Sequence, residues 1–432
     1  MKIVALETLQ LGEFPNLLWL RLHTEDGLVG LGETFFGPAE VATYLHQTAG
    51  PRLLGRDALA IDALRVALKG YVGTRGTGVE CRGNSAVDLA LWDILGKVTQ
   101  RPVYQLLGGA SREAVRVYNT CAGYRYVRAA TGQTQENWGL PSADPAAGLQ
   151  GTRRHEATAP PGAGTKSASA PGAAPYEDLD AWLDGRAGEL AQSLLEQGIT
   201  GMKMWPFDPY AYTSGGLYLS DADLDRGLEP FRQVRRAVGR RMDLMVELHG
   251  LWSLPPALKI ARAFEAEGLS PCWIEDPLRP DDIASLARFA QGTSIPTTAS
   301  ELLGGRQAFR ELLEARAAGV VMLDLGWCGG LSEGKAIAGM AEAFGLPIAP
   351  HDCTGPVVWA AGVHLSLNAP NTLIQEVVRA FFTGWYTELV TGLPVVDQGF
   401  VRPGPGPGLG IDLRPGLVQR PDATLRRSQL PG

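Results

Sequence analysis

The spacing of apolar residues changes twice along this chain. Residues 2 to 34 alternate apolar and polar side chains with a period of two, and a turn at Asp26-Gly27 separates two of the runs. From Asn84 to Val98 the apolar residues recur with the helical period of 3.6, and Arg101-Pro102 ends that pattern. The N-terminal part is therefore predicted to form a three-stranded antiparallel sheet followed by helices.

From Val115 onward, short apolar runs alternate with longer helical patterns. That order is typical of parallel strands joined by right-handed helical crossovers. We therefore predict an α/β fold in which residues 115–384 form a TIM-type (β/α) barrel and residues 1–114 form a separate α+β domain. After Glu376 the alternation stops, and the Pro- and Gly-rich tail, residues 385–432, is expected to return to the N-terminal sheet.

One segment interrupts the barrel pattern. Residues from about 126 to 176 are dominated by Gly, Ala, Pro, Ser and Thr, so they are too polar and Pro-rich to form a strand or a long helix. Two interpretations stay open: a lid over a ligand, or a surface insertion without packed structure, which is favoured for residues 142–173. At the edge of the segment, Tyr124, Arg125 and Trp138 are the side chains predicted to reach a substrate.

Polar residues close six consecutive apolar runs, and they stand 23 to 28 residues apart, which is the length of one strand-helix unit. A charge at the end of a buried strand is unfavourable unless it is paired or holds a metal, and all strands of a parallel barrel open onto one face. Each residue taken singly could cap a helix or lie in a surface loop, but six in phase favour one shared site. In chain order they are Glu247, Glu275, Glu301, Asp324, His351 and Glu376.

Charge and composition argue against two classes of protein, those that bind nucleic acid and those that span a membrane. The net charge is −7 without a basic cluster, so nucleic acid is not an expected partner. No apolar run reaches membrane-spanning length, and Glu7 interrupts the N-terminus before a signal-peptide core could form. We expect a folded cytoplasmic protein that has no membrane partner, forms a homo-oligomer and acts on a small molecule.

Three of the six polar residues, Glu247, Glu275 and Glu301, are carboxylates on adjacent predicted strands. They suit a hard divalent cation, and Mg²⁺ is favoured because it takes oxygen ligands while keeping positions for water or substrate. Asp324 and His351 end neighbouring strands, so the carboxylate can orient the imidazole and raise its proton affinity. His351 is therefore a candidate base.

Two more polar side chains are predicted at the same face. Lys203 ends the apolar run 199–202 and could neutralise developing negative charge opposite His351, although a lysine taken alone is more often a solvated loop residue. His249 lies two residues beyond Glu247, hence on the same pleat face. From there it could donate a proton.

These residues together resemble the enolase superfamily, specifically its mandelate racemase and muconate-lactonizing branch, over nearly the whole chain. The resemblance implies that the N-terminal domain and the tail form a capping domain, whose loop around Thr34-Phe35-Phe36-Gly37 closes over substrate. It also implies removal of the proton alpha to a carboxylate bound to Mg²⁺, with Glu376 interacting with that carboxylate. The matching stretches are Gly201-Met202-Lys203, Trp273-Ile274-Glu275-Asp276-Pro277, Ala299-Ser300-Glu301, Asp324 with Cys328-Gly329-Gly330, Pro350-His351-Asp352 and Gln375-Glu376.

Two departures from the family pattern select among its reactions. The Lys-x-Lys motif reads Lys203-Met204-Trp205, so the second lysine, a base in two-base racemisation, is replaced by Trp205, which we expect beside the substrate. Glu247-x-His249 resembles the Asp-x-His motif of acid-sugar dehydratases, except that Glu replaces Asp. In those enzymes the histidine protonates the departing 3-hydroxyl. The resemblance thus implies a Mg²⁺-dependent dehydratase that converts a sugar acid, an aldonate or an aldarate, to a 2-keto-3-deoxy acid. The alternatives are a racemase, epimerase or cycloisomerase on the same scaffold, or a non-catalytic relative.

One stretch of the chain is similar to a phosphate-binding motif. Residues 329–336 follow G-x-x-x-x-G-K-A, one residue short of a P-loop. Ala336 has no hydroxyl to bind Mg²⁺. A tight turn beside the site is therefore favoured over nucleotide binding.

Overall fold

The computed structural model describes residues 1–70, 77–128, 130–132, 134, 137 and 175–430. Trp138 and residues 142–173 of the predicted insertion lie outside these residues. The described strands are β1 (Ile3–Leu11), β2 (Leu17–Thr24), β3 (Val29–Phe35), β4 (Val115–Thr120), β5 (Gly201–Met204), β6 (Asp243–Glu247), β7 (Trp273–Glu275), β8 (Thr297–Ala299), β9 (Val320–Leu323), β10 (Ile348–Pro350), β11 (Gln375–Val377), β12 (Val390–Thr391), β13 (Val395–Asp397), β14 (Phe400–Arg402), β15 (Asp412–Leu413) and β16 (Ala423–Gln429).

Helices connect most of these strands, and two π-helical turns occur at Leu45–Ala49 and Phe381–Trp385. The described α-helices are α1 (Pro38–Tyr44), α2 (Gly50–Leu53), α3 (Ile61–Leu68), α4 (Val79–Thr99), α5 (Val103–Leu106), α6 (Asp178–Leu183), α7 (Ala187–Glu196), α8 (Asp208–Ser214), α9 (Asp221–Val238), α10 (Leu254–Ala266), α11 (Ile283–Gln291), α12 (Gly305–Glu314), α13 (Gly330–Ala343), α14 (Pro356–Asn368) and α15 (Tyr386–Leu389).

The N-terminal sheet has four strands in the order β16-β1-β2-β3, all antiparallel where they pair. Three of them are the strands predicted from the alternating pattern, and the fourth confirms that the tail returns to this sheet. Helix α4 lies directly on β3, where a Cβ at Gly32 would be 1.9 Å from Ala86 O, so only glycine permits this approach. The helix begins at Val79, five residues before the predicted Asn84.

The barrel consists of the eight strands β4 to β11. Neighbouring strands from β4 to β10 pair in parallel, and β11 pairs with β4 to bring the ring back to its first strand. The strands are short and their residues are almost all buried, as expected for a parallel sheet covered by helices. The predicted α/β barrel with an α+β cap is therefore confirmed. Helix α14 follows β10 and is buried at every position.

A buried carboxylate of the cap caps a helix of the barrel. Glu33 in β3 is fully buried, and its Oε1 accepts hydrogen bonds from the backbone N–H groups of Val357 and Val358, at 2.8 and 2.9 Å. Its Oε2 accepts a hydrogen bond from Trp19 Nε1 at 2.7 Å. The donors in α14 lack partners within their own helix, so the carboxylate caps it from another domain. A Cβ at Gly355 would lie 2.3 Å from Glu33 Oε1, and that residue must therefore be glycine.

Among the residues that the structure describes, no helix combines the length and the apolar character needed to cross a membrane.

Candidate active site

The six polar residues predicted to close the strands do meet at one end of the barrel. Glu247 and Glu275 are the last residues of β6 and β7 and lie opposite each other in the ladder. Glu301 follows β8 by two residues, Asp324 and His351 follow β9 and β10 directly, and Glu376 lies within β11. All six side chains are buried. The period of the strand-helix unit therefore places them on one face, as expected for strand ends of a barrel.

Three of these carboxylates form a group with the geometry of a metal site. One oxygen from each of Glu247, Glu275 and Glu301 lies within 4.8 Å of the others. Glu247 Oε1 accepts hydrogen bonds from the N–H groups of Leu248 and His249, whereas its Oε2 has no hydrogen-bond partner in the described structure. Burial and the neighbouring Glu247 hold the pKa of Glu275 well above its ordinary value. Three buried carboxylates this close together fit a hard dication, and the longer Glu247 side chain does reach the group.

Lys203 lies within this acidic group. Its Nζ is 2.6 Å from Glu275 Oε1, 3.0 Å from Glu376 Oε1 and 3.3 Å from Glu247 Oε2. Burial alone would lower the pKa of Lys203, but Glu275 and Glu376 outweigh it and raise that pKa well above its ordinary value. Lys203 is therefore a charged, buried ammonium and not the solvated loop lysine considered as the alternative.

His351 and Asp324 are in direct contact. His351 Nδ1 lies 2.7 Å from Asp324 Oδ2, and Asp324 is itself held by Gly326 N–H at 2.7 Å and Thr354 Oγ1 at 2.9 Å. The other ring nitrogen, Nε2, faces Glu301 Oε2 at 2.8 Å. Burial would lower the pKa of His351, yet the adjacent carboxylates, Glu301 foremost, raise it well above its ordinary value. The proximity predicted from the sequence is confirmed.

His249 reaches the site by a different route from the one predicted. Strand β6 ends at Glu247, so alternation along a strand does not direct the His249 side chain; the residue lies in a turn with φ of 49°. Its Nδ1 is 2.6 Å from Asp208 Oδ2, and the ring packs edge-on to Trp205 at 5.9 Å between centroids. Burial would lower the pKa of His249, but Asp208 and Glu247 raise it to about 9.

Glu376 is fixed by two neighbouring strand ends. Thr120 Oγ1, from the end of β4, donates a hydrogen bond to Glu376 Oε1, and the N–H of Asp352 donates to Oε2 at 3.0 Å. Asp352 in turn accepts a hydrogen bond from Tyr386 at 2.8 Å. Glu376 is thus an immobilised carboxylate beside Lys203.

A narrow cavity of about 30 Å³ connects these groups. It is roofed by aromatic side chains, including Phe35 and Phe36 of the loop that was predicted to close over substrate. A space of this size is far below the ~300–1,000 Å³ of small-molecule pockets, so the roof must move for a ligand to enter. The described lining residues are Phe35, Phe36, Thr120, Tyr126, Val127, Lys203, Trp205, His249, Glu301, Trp327, His351, Cys353, Thr354 and Glu376.

The lining differs from the predicted substrate contacts in two places. Trp205 is present, but Tyr124 and Arg125 are not: Tyr124 donates a hydrogen bond to Glu388 at 2.6 Å, and the largely exposed Arg125 pairs with Asp180 at 2.8 Å. Tyr126, one residue further, reaches the cavity instead. Sequence reasoning missed it because no periodic pattern in that irregular segment indicates which side chains face inward.

The P-loop-like residues take part in packing the cap onto the barrel. The N-terminus of α13 already has protein partners, since Gly329 N–H donates to Ser85 Oγ and Ser332 N–H donates to Asp88 Oδ2. A Cβ at Gly330 would lie 2.5 Å from the Asp88 side chain, which explains a glycine there. With its donors facing a buried carboxylate, this helix end does not suit a phosphate.

A second cavity, of about 630 Å³, lies between the helices of the cap and the barrel. Its charged residues largely pair with each other: Arg65 contacts both Glu333 and Asp88. Gly70 is one of its lining residues, and residues 71–76, which follow Gly70 in the chain, are outside the described structure. This cavity contains none of the six strand-end residues.

Comparison with known proteins agrees with this architecture. Residues 5–108 match the mandelate racemase / muconate lactonizing enzyme N-terminal domain, and residues 186–417 match the enolase C-terminal domain-like family. Curated relatives include D-galactonate dehydratases of Variovorax paradoxus, 28% identical over 96% of this chain and 92% of the relative, and of Ralstonia nicotianae, 29% identical over 97% and 94%.

Solved structures extend the likeness. An enolase of the mandelate racemase subgroup from Agrobacterium tumefaciens is 47% identical, covers 99% of both chains and superposes with a TM-score of 0.82. An enolase protein from environmental sequencing of the Sargasso Sea is 38% identical over the full length of both chains, with a TM-score of 0.81. By sequence, by fold and by the acidic residues at its strand ends, this chain belongs to the enolase superfamily, in the mandelate racemase and muconate-lactonizing family.

Proposed function

We propose that this protein is a Mg²⁺-dependent dehydratase of a sugar acid, which removes water from carbons 2 and 3 to give a 2-keto-3-deoxy acid. The observation that carries the proposal is the placement of two histidines. His249 follows β6 and His351 follows β10, four strands apart in an eight-stranded ring, so they approach the cavity from opposite sides. An elimination needs a base at one carbon and an acid at the leaving group of the next.

His351 has the role of base in this proposal. Its Nδ1 is engaged with Asp324, and its Nε2, which faces Glu301 Oε2 at 2.8 Å, is the atom proposed to take the proton from carbon 2 of the substrate. Asp324 stabilises the imidazolium that results, because its carboxylate is buried in contact with the ring and is held by two hydrogen bonds of its own. The electron pair left by the proton moves toward the substrate carboxylate, beside which Lys203 supplies positive charge.

His249 completes the elimination. The bond from carbon 3 to its hydroxyl breaks, and His249 donates a proton so that the group leaves as water. The remaining enol, which carries the hydroxyl on carbon 2, ketonises to the 2-keto-3-deoxy acid. Atoms balance with one water released and no oxidant or reductant needed.

Glu247, Glu275 and Glu301 would hold the Mg²⁺. When bound, the ion would supply Lewis-acid stabilisation of the negative charge that gathers on the substrate carboxylate. The support from this chain is the burial and the spacing of the three carboxylates.

The favoured substrate class is an aldonate such as D-galactonate. The relatives named D-galactonate dehydratase support this choice. In addition, Lys203 is the only lysine or arginine in the described lining, and three carboxylates already surround it. The second carboxylate of an aldarate would find no lysine or arginine among these residues.

The test is incubation of the protein and Mg²⁺ with a library of aldonates and aldarates, each paired with its 2-epimer, followed by detection of 2-keto acids. We expect a keto acid from at least one aldonate of R configuration at carbon 2, which a base on the seventh barrel strand implies by family resemblance. Interconversion of 2-epimers without keto acid would instead indicate an epimerase. Absence of any turnover and of Mg²⁺ binding would favour a non-catalytic relative.

A further inference from the structure

Asp208 is a buried acid in contact with the site that the sequence did not single out. It is the first residue of α8, follows β5 by four residues and has no exposed surface. Its Oδ2 lies 2.6 Å from His249 Nδ1, while its Oδ1 has no hydrogen-bond partner among the described residues. The contact with His249 is therefore the main polar interaction of this carboxylate among the described residues.

The Asp208–His249 pair has the same geometry as the Asp324–His351 pair on the other side of the cavity. In both pairs an aspartate Oδ2 meets a histidine Nδ1, at 2.6 Å for Asp208 with His249 and 2.7 Å for Asp324 with His351. A carboxylate only accepts, so each histidine must carry a hydrogen on Nδ1. Both rings line the cavity, and in each ring Nε2 is the nitrogen that does not face the aspartate.

We propose that Asp208 is a positioning residue that fixes the orientation and tautomer of His249, so that Nε2 can deliver a proton to the leaving hydroxyl. The inference rests on the proposed dehydration for the identity of the leaving group. His249 needs such a partner, because its side chain leaves a turn of positive φ and is not held by a strand ladder. Trp205 packs edge-on against the ring, and packing of this kind does not choose between tautomers.

The first test separates two partial reactions in the Mg²⁺-supplemented enzyme: exchange of the substrate α-proton in D₂O, and dehydration. Asp208→Asn should lower dehydration by roughly 10²-fold, the scale of a general acid, with exchange within about twofold of wild type. Asp324→Asn should lower both together, since Asp324 serves the base. Asp184→Asn, at an exposed position, is the control and should change neither. Equal loss of both reactions in Asp208→Asn, or no loss of either, would overturn the proposal.

The second test does not depend on turnover. In ¹⁵N-histidine-labelled protein, wild type should show a downfield proton resonance from His249 Nδ1–H, identified by its absence in His249→Asn. The resonance should be lost in Asp208→Asn and kept in Asp324→Asn. A hydrogen on Nε2 and not on Nδ1 in wild type, or a resonance unchanged by Asp208→Asn, would overturn the pairing. If no sugar acid is dehydrated while the pairing is observed, the proposed function fails and the Asp208 contact stands as the positioning of His249.

Discussion

Lys203 Nζ lies 2.6 Å from Glu275 Oε1, so the buried ammonium is bonded to a carboxylate that is also a candidate metal ligand. Lys203 and a metal ion bound at this group would both interact with the Glu275 carboxylate. A second cation close to Glu275 is repelled by Lys203, and the acidic group in turn keeps Lys203 charged. We therefore expect Lys203 to limit the affinity of the site for Mg²⁺ while offsetting its excess negative charge.

Replacement of Lys203 by Met should separate these effects. We expect Lys203→Met to bind Mg²⁺ about tenfold more tightly or more, as judged by calorimetry, because the competing cation is removed. Activity should fall strongly, since positive charge beside the substrate carboxylate is lost. Without Mg²⁺ the variant should unfold at a lower temperature than wild type, because unpaired buried carboxylates are left. Weaker Mg²⁺ binding would show that Lys203 supports the metal site.

The metal site itself is tested by charge-neutral replacements. Glu275→Gln and Glu301→Gln should each abolish measurable Mg²⁺ binding and activity, because each removes an anionic ligand from a site for a dication. Glu247→Gln should do the same, since one of its oxygens lies within 4.8 Å of those of Glu275 and Glu301. Glu267→Gln, in a surface pair with Arg232, is the matched control. Unchanged calorimetric affinity in the Glu275 and Glu301 variants would refute the site.

The division of labour between the two histidines has a distinct kinetic signature. His351→Asn should lose both dehydration and exchange of the α-proton with D₂O, because the base acts first. His249→Asn should lose dehydration and retain exchange, because the acid acts only as the leaving group departs. Mass spectrometry of recovered substrate measures the exchange. Dehydration by the His351→Asn variant would contradict the assignment of His351 as the base.

Deletion of residues 142–173 tests the insertion. Described residues on the two sides of the insertion are in contact: Arg128 packs over the Tyr124 ring, and Tyr124 N–H donates to Tyr176 O at 3.1 Å. Arg379 also lies over the Tyr176 ring, at 3.9 Å. A short Gly/Ser linker should therefore close the gap, leaving fold and most activity intact, because the segment is poor in apolar side chains.

Circular dichroism and substrate saturation curves distinguish the outcomes of that deletion. Loss of folded protein would mean that the segment is a packed element. Intact folding with a strongly raised KM would mean that it is a lid over the substrate.

His364 predicts a pH dependence of stability. It is fully buried in α14, its Nδ1 accepts from Tyr104 N–H, and its Nε2–H donates to Leu409 O. Burial lowers its pKa from 6.5 to about 4. Between about pH 6.5 and pH 4, His364 is protonated in the unfolded chain but not in the folded protein. The free energy of unfolding therefore decreases as the pH falls from 6.5 toward 4.

His364→Gln removes that titration and should flatten the fall in urea midpoint between pH 7 and pH 5. Part of the fall should persist, because burial also lowers the pKa of His23 and His46 to about 4. An unchanged pH dependence would show that His364 is not protonated on unfolding in this range.

The sequence predicted most of the architecture because the relevant signals are periodic. Alternation located the N-terminal strands, and the strand-helix period placed Glu247, Glu275 and the other strand ends on one face. These regularities follow from backbone geometry, which repeats along the chain. The meeting of Asp324 with His351 followed from the same argument, since neighbouring strands bring their ends together.

The contacts that the sequence did not predict lie where the backbone is irregular. Asp208 follows a strand by four residues through an aperiodic segment, so nothing in the spacing directs it toward His249. His249 itself was predicted by extending a strand that ends at Glu247. In the segment after β4, the sequence predicted that Tyr124 contacts substrate, whereas Tyr126 lines the cavity. The backbone there is irregular, so the direction of each side chain does not follow from its position in the sequence.

The pairing of β1 with β16 joins residues about 420 positions apart, from Leu11 with Ala423 to Ala5 with Gln429. Such a contact has a high sequence separation and adds to the loop-closure entropy that folding must overcome. During synthesis, β1 can pair with β2 almost at once, yet its other edge stays open until the whole barrel has left the ribosome. An open edge of a sheet is a template for pairing with other chains. The newly made protein should therefore be most prone to aggregation just before its last strand arrives, and removal of β16 would make that exposure permanent.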